Sequence, residues 1–182
     1  PDSDYIFKHA LTQESIYQCL LKNTRQKYHK KIAAILKQHF PEITEAQPET
    51  LGHHFTEAGL AEPAIPYWQR AGEIAARHSA NVEAIDHLTK GLELLKTVPE
   101  THERMWRELN LLIAIGPPLI KIKGYAAPEV ERSYARAREL CHKVGETPQL
   151  FQVLLGLFWR YFFRPELQTA HELGEQLFQL AQ

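Results

Sequence analysis

Apolar residues recur every three to four positions along most of the chain, the spacing that lays a stripe along one face of an α-helix. From residue 49 onward the pattern predicts seven helices, roughly Glu49–Ala58, Glu62–His78, Val82–Lys96, Glu103–Ile115, Pro128–Lys143, Pro148–Phe162 and Glu166–Ala181. Their ends carry matching signals. Pro128 sits in a first turn with Glu129 and Glu131 behind it, where a fixed φ and acidic charge both suit a helix start. Pro148 and Pro165 open or precede helices in the same way, and Gly145 suits a helix C-terminus. Pro117-Pro118 should stop or kink the fourth helix, because each ring removes an N–H and crowds the carbonyl four residues back. Before residue 49, Leu11, Ile16, Leu20 and Leu21 mark one helical stripe. Asn23-Thr24 interrupts it, with Thr24 suited to an N-cap, and Ile32, Ile35, Leu36 and Phe40 mark the next stripe. Pro41 and Pro48 bracket a polar connector. Tyr5-Ile6-Phe7 is a short β-like run, and a lone strand is not stable, so its partners are expected upstream.

Within residues 51–73, LGHHFTEAGLAEPAIPYWQRAGE, the residues Gly52, Phe55, Gly59, Ala64, Trp68 and Ala71 stand at the offsets of a tetratricopeptide repeat. Small residues (Gly52, Ala64, Ala71) let two helices approach closely, large ones (Phe55, Trp68) fill the space between them, and Gly59 supplies a left-handed residue at a helix end. Two registers are open. Gly52, Ala64 and Ala71 set one; Gly72, Ala75, Ala84, Leu88 and Gly91 set another, offset by about one helix. The second is preferred because it pairs the last six helices evenly and leaves the helix before them as a junction. The expected fold is all-α: a right-handed, tetratricopeptide-like superhelix of helical hairpins, each burying its stripe by stacking on its neighbours.

Composition narrows the function classes. Net charge is −1 over 182 residues, so the chain as a whole exerts no pull on nucleic acid or membrane. The charge is uneven: up to Phe40 there are seven basic and three acidic side chains, a net of +4 that leaves −5 for the rest. The longest apolar runs, Leu111–Ile115 and Val153–Trp159, are too short to span a bilayer, and no signal peptide is visible. Cys19 and Cys141 are far apart within helical patterns, which suits buried thiols in a reducing, cytoplasmic setting. The chain starts at Pro1 and runs at once into strand-like residues, so it reads as a piece of a longer polypeptide.

The spaced set Phe7-x-His9-x-Leu11, Glu14, Tyr17, Leu21, Arg25, His29, Ala33 and Leu36 resembles the end of the winged-helix segment in signal-transduction ATPases of the STAND class. Tyr67-Trp68-Gln69-Arg70-Ala71-Gly72-Glu73, Gly91-Leu92-Glu93-Leu94-Leu95 and Gly124-Tyr125-Ala126-Ala127-Pro128-Glu129-Val130 are similar to later stretches of the same family, in the same order. The resemblance implies a winged-helix remnant over residues 1–41 and a repeat array over 42–182. It also implies an ATPase core upstream, with a nucleotide cyclase or kinase at the N-terminus of some members. No G-x-x-x-x-G-K-[ST] phosphate loop lies in this sequence, so ATP chemistry would reside upstream.

Within the chain itself no catalytic arrangement emerges. Ser15, Ser79 and Ser133 lack a nucleophile elbow, and neither cysteine has a setting that would activate it. His53 and Glu57 share a helix face, but H-H-x-x-E is not H-E-x-x-H and has no further ligand nearby in the sequence. Neither metal nor cofactor is therefore expected; His53 and His54 read as solvated or capping, and for His9 and His29 the resemblance implies packing and hydrogen bonding within the winged-helix segment. The candidate site is the concave face of the array, lined by the first helix of each pair. Gln69, Glu73 and Arg77 form an i, i+4, i+8 stripe there, joined by Arg107 and Asn110, then by Arg160, Tyr161 and Arg164. Phe158, Trp159, Tyr161, Phe162 and Phe163 read mainly as core, with a share left for a ligand anchor or for the next repeat. The expected function is a non-catalytic sensor and interaction module that binds a protein, a peptide, a small effector or the upstream domains of its own polypeptide. The alternative is nucleic-acid binding through Lys22, Arg25, Lys27, Lys30 and Lys31. It is disfavoured because these residues point in several directions without interleaved aromatics.

Overall fold

A computed structural model describes residues 17, 21–145 and 148–182. The Tyr5-Ile6-Phe7 run, most of the Leu11–Leu21 stripe and Cys19 lie outside them. The described residues form helices and connecting turns, with no strand among them. In chain order the helices are α1 (Lys22–His39), α2 (Pro41–Ala46), α3 (Pro48–Glu57), α4 (Ala61–Arg77), α5 (Asn81–Leu95), α6 (His102–Lys123), α7 (Pro128–Val144), α8 (Gln149–Phe162) and α9 (Leu167–Leu180). No helix among the described residues is long and apolar enough to cross a membrane.

Three local expectations need correction. Thr24 lies inside α1, whose N-cap is Leu21. The polar connector between Pro41 and Pro48 is the short helix α2, with Pro41 at its first turn, where a missing N–H costs nothing. The third correction concerns Pro117 and Pro118, through which α6 runs on to Lys123. Burial explains the persistence: Ile115, Gly116, Pro118 and Leu119 are all packed inside, so tertiary contacts outweigh the lost helical hydrogen bonds.

Each helix packs against its successor, and α1 also meets α3. Beyond these neighbours, α4 touches α6 and α6 touches α8, so alternate helices form a second line of contact. One continuous apolar core, from Ile65 on α4 to Leu173 on α9, runs through the last six helices. The turns between them are tight. Gly59 (φ 74°) ends α3, with the Leu60 amide donating to the Phe55 carbonyl at 2.9 Å and the Gly59 amide to Thr56 at 2.9 Å. Ser79 (φ 62°) closes α4 with the same pair of bonds, from Ala80 to Ala75 and from Ser79 to Ala76.

A repeated contact sets how close the helices come. On each of several interfaces a glycine on one helix receives a bulky side chain from another. A methyl group at Gly52 would stand 2.9 Å from the Trp68 ring, and one at Gly72 would stand 2.4 Å from Leu88 Cγ. One at Gly91 would stand 3.2 Å from Leu111. Trp68 is held in place by its indole N–H, which donates to Thr56 Oγ1 at 2.9 Å, while Thr56 donates to the Gly52 carbonyl at 2.7 Å. Ala64, Trp68, Ala71, Gly72, Ala84, Leu88 and Gly91 are buried, whereas Phe55 is half-buried and stacks on Tyr67.

Pro66 adds a link between alternate helices. It lies inside α4 and has no N–H to offer the Glu62 carbonyl four residues back. Arg107 of α6 donates to that carbonyl across the gap, at a long 3.4 Å.

Gly72→Ala separates the two effects of a helical glycine. The added methyl gains about 1 kcal/mol of helix propensity, but overpacking against Leu88 costs about 1–3 kcal/mol. Urea denaturation should show net destabilisation. Gly174→Ala is the control, because its methyl would meet Phe158 at an ordinary 3.6 Å. That variant should be neutral or more stable by up to about 1 kcal/mol.

Candidate functional site

The line of alternate helices leaves a groove of about 500 Å³ between α6 and α8. Ile113, Pro117, Ile120 and Lys121 form one wall, and Gln152, Leu155 and Trp159 form the other. The floor is Tyr134, which comes from α7. Its ring passes between two notches: a methyl at Gly116 of α6 would lie 2.3 Å from its hydroxyl oxygen, and one at Gly156 of α8 would lie 2.5 Å from its ring. The loop after α6 closes one end. There Tyr125 stacks on Phe163 with centroids 5.0 Å apart and leans on Trp159 at 6.3 Å.

The chemistry of this groove is apolar with a few polar points. Trp159 is 37% exposed, so its indole is available as well as packed. Lys121 is exposed and carries the single cationic head among the lining residues. Pro117 and Pro118 bring no N–H, so the carbonyls of Ile113 and Ala114 lose their helical donors, and Ile113 belongs to the groove wall. Burial pushes the Tyr134 phenol up to about 12, which keeps the floor neutral across the physiological range.

The expected concave-face residues fall in three groups, none of them among the residues lining this groove, whereas Trp159 of the aromatic cluster does line it. Gln69 and Glu73 hydrogen-bond to each other on α4 at 2.8 Å, with Arg77 exposed at the end of that helix. Arg107 pairs with Glu103 and reaches Glu62, beside a smaller hollow between α4 and α6; Asn110 is half-buried one turn further on. Arg160, Tyr161 and Arg164 converge on Glu131 of α7. Arg160 is fully buried and donates to Glu131 at 2.6 Å, the Tyr161 hydroxyl lies 3.4 Å away and Arg164 3.8 Å away. Burial, with Glu131 beside it, raises the Tyr161 phenol. This node joins α8 to α7, as the two-pronged Arg136–Glu108 pair joins α7 to α6.

Sequence reasoning missed Lys121 because the expected break at Pro117-Pro118 ended α6 too early, and it missed Tyr125, Tyr134 and Gln152, which reach the groove from the next loop, α7 and α8, because periodicity does not say which helices meet. Gly116 and Gly156 carried the available signal: each is a lone glycine inside an apolar helical run, the mark of a close approach. The structure also brings His53 and His54 beside His29, 25 positions from His54 in the chain.

No family model matches the chain. Over 154 residues it is 30% identical to an uncharacterized protein of Rhizobium meliloti (strain 1021). The aligned stretch covers 84% of this chain and 15% of that protein, so the chain spans only a small part of its relative's length.

Because Tyr134 is held above its unfolded value near 10, its contribution to stability is complete below pH 10 and falls as the pH rises toward 12. Over that window the slope is about 1.4 kcal/mol per pH unit. Stability against urea, measured from pH 9 to 12, should therefore fall more steeply for the wild-type chain than for Tyr134→Phe.

Proposed function

We propose that this chain is a non-catalytic regulatory segment of a larger signalling ATPase of the STAND class. On this reading residues 42–182 form a tetratricopeptide-like superhelix behind a winged-helix remnant at residues 1–41. The groove between α6 and α8 is its docking surface, and the occupant is a peptide segment of a partner or of the upstream polypeptide. Engagement of that segment biases the ATPase between resting and active arrangements.

The observation that carries the reading is the groove itself. It lies along the line of alternate helices α4, α6 and α8, the ones that face a superhelix's hollow when hairpins pair as α4–α5, α6–α7 and α8–α9. Its lining suits a peptide. Trp159 and Tyr125 supply rigid aromatic area for an apolar anchor, Lys121 offers a cation to an acidic residue of the peptide, and Ile113, whose carbonyl Pro117 releases, offers an acceptor for an N–H group. The glycine notches supply the close packing that such arrays require, and the much greater length of the rhizobial relative accords with a segment embedded in a larger protein.

Peptides selected from a random library against the chain test this. They should share an aromatic or aliphatic anchor beside an acidic residue, and Trp159→Ala should weaken them about 30-fold, the loss of a hot-spot contact of about 2 kcal/mol. Lys121→Glu should weaken the same peptides and flatten their salt dependence. Peptides indifferent to both changes would contradict the docking surface. A parent reading frame without a phosphate loop upstream would contradict the ATPase.

A further inference from the structure

Three histidines converge where α1 meets α3, away from the groove. His29 of α1 is buried, His54 of α3 is half-buried and His53 lies exposed at the rim. One ring nitrogen from each lies within 4.8 Å of the other two. The Nδ1 atoms of His29 and His54 face each other at 2.8 Å, and the three rings sit 5.0–5.6 Å apart between centroids.

We infer that His29, His53 and His54 form a binding site for a divalent transition ion of the zinc class, with Glu57 or water as fourth ligand. Three imidazoles around an open fourth position are an established zinc arrangement. Zinc–nitrogen bonds of 2.0–2.1 Å place tetrahedral ligand atoms roughly 3.3 Å apart; the His29 and His54 Nδ1 atoms are 2.8 Å apart and all three ligand atoms lie within 4.8 Å of one another. His53 is exposed, so its ring has room to turn toward the other two. A hydrogen bond between two imidazoles would explain His29 with His54. It does not explain why a third ring nitrogen shares the same small space.

The outer shell points the same way. A metal-bound histidine holds its ring by donating its other N–H to an oxygen acceptor. His29 has that partner: its Nε2 lies 2.9 Å from the Tyr17 hydroxyl, which in turn donates to Glu57 Oε2 at 3.4 Å. The chain imidazole–phenol–carboxylate fixes the tautomer that leaves Nδ1 free for the ion. Glu57 also supplies negative charge to offset Arg25, whose guanidinium lies 5.1 Å from the Tyr17 ring. Exposed His53 and Glu57 line a hollow of about 320 Å³ beside the site, which gives the ion a way in. Bound there, the ion would clasp α1 to α3.

The test uses the tag-free, chelator-stripped 182-residue chain titrated with Co²⁺, followed by displacement with Zn²⁺. The expected result is one ion per chain, with the strong visible absorption of four-coordinate cobalt, abolished by stoichiometric Zn²⁺. His53→Gln and His54→Gln should each weaken binding at least 100-fold. Because His53 is exposed, its variant should keep the helical circular dichroism and metal-free melting curve of the wild type. His102→Gln and His171→Gln, remote histidines, should bind as the wild type does. Wild-type affinity no greater than that of His53→Gln, or an absorption that survives the double change at His53 and His54, would overturn the site.

Discussion

Tyr134 fits between Gly116 and Gly156, and a side chain at either glycine would collide with it. That contact is one case of the constraint on which the structure depends: a bulky residue on one helix enters a notch that only glycine leaves open on another. Trp68 in Gly52, Leu88 in Gly72 and Leu111 in Gly91 repeat it toward the N-terminus. Such contacts are short-ranged, so they fix each helix against its neighbour and not against the whole. One apolar core nevertheless runs through the last six helices, from Ile65 to Leu173.

The groove follows from the same constraint. With Tyr134 wedged across α6 and α8, the two helices are held close at their notches while their outer faces remain apart. The prolines inside α4 and α6 then acquire a shared meaning. Each frees a backbone carbonyl, and two of the three lie beside other features: Arg107 answers the one at Glu62, and the groove borders Ile113. Proline within a helix weakens it locally but equips it to bond sideways.

Much of the architecture was legible because burial here has a period. Six of the seven helices expected after residue 49 match those observed to within about two residues at each end, as apolar stripes and glycine or proline punctuation fix boundaries to that precision. The exception is α6, where proline's local cost was visible in the sequence and the packing of Ile115, Pro118 and Leu119 that outweighs it was not. Side-chain partners were less legible. Arg160 looks like a surface cation in the sequence and is buried on Glu131, because which face a residue takes depends on a helix 29 positions away. The histidine cluster escaped for the same reason: H-H-x-x-E lacks a local third ligand, and the third ring arrives from α1. Periodicity reports which residues go inside; it does not report which of them meet.

The most direct measurement of the notch constraint is a double-mutant cycle between Gly116 and Tyr134, read by urea denaturation. If the glycine is there to admit the ring, Gly116→Ala destabilises the wild-type chain by about 1–3 kcal/mol. In a Tyr134→Leu background the same change becomes neutral, or stabilising by up to about 1 kcal/mol. An equal effect in both backgrounds would contradict the account.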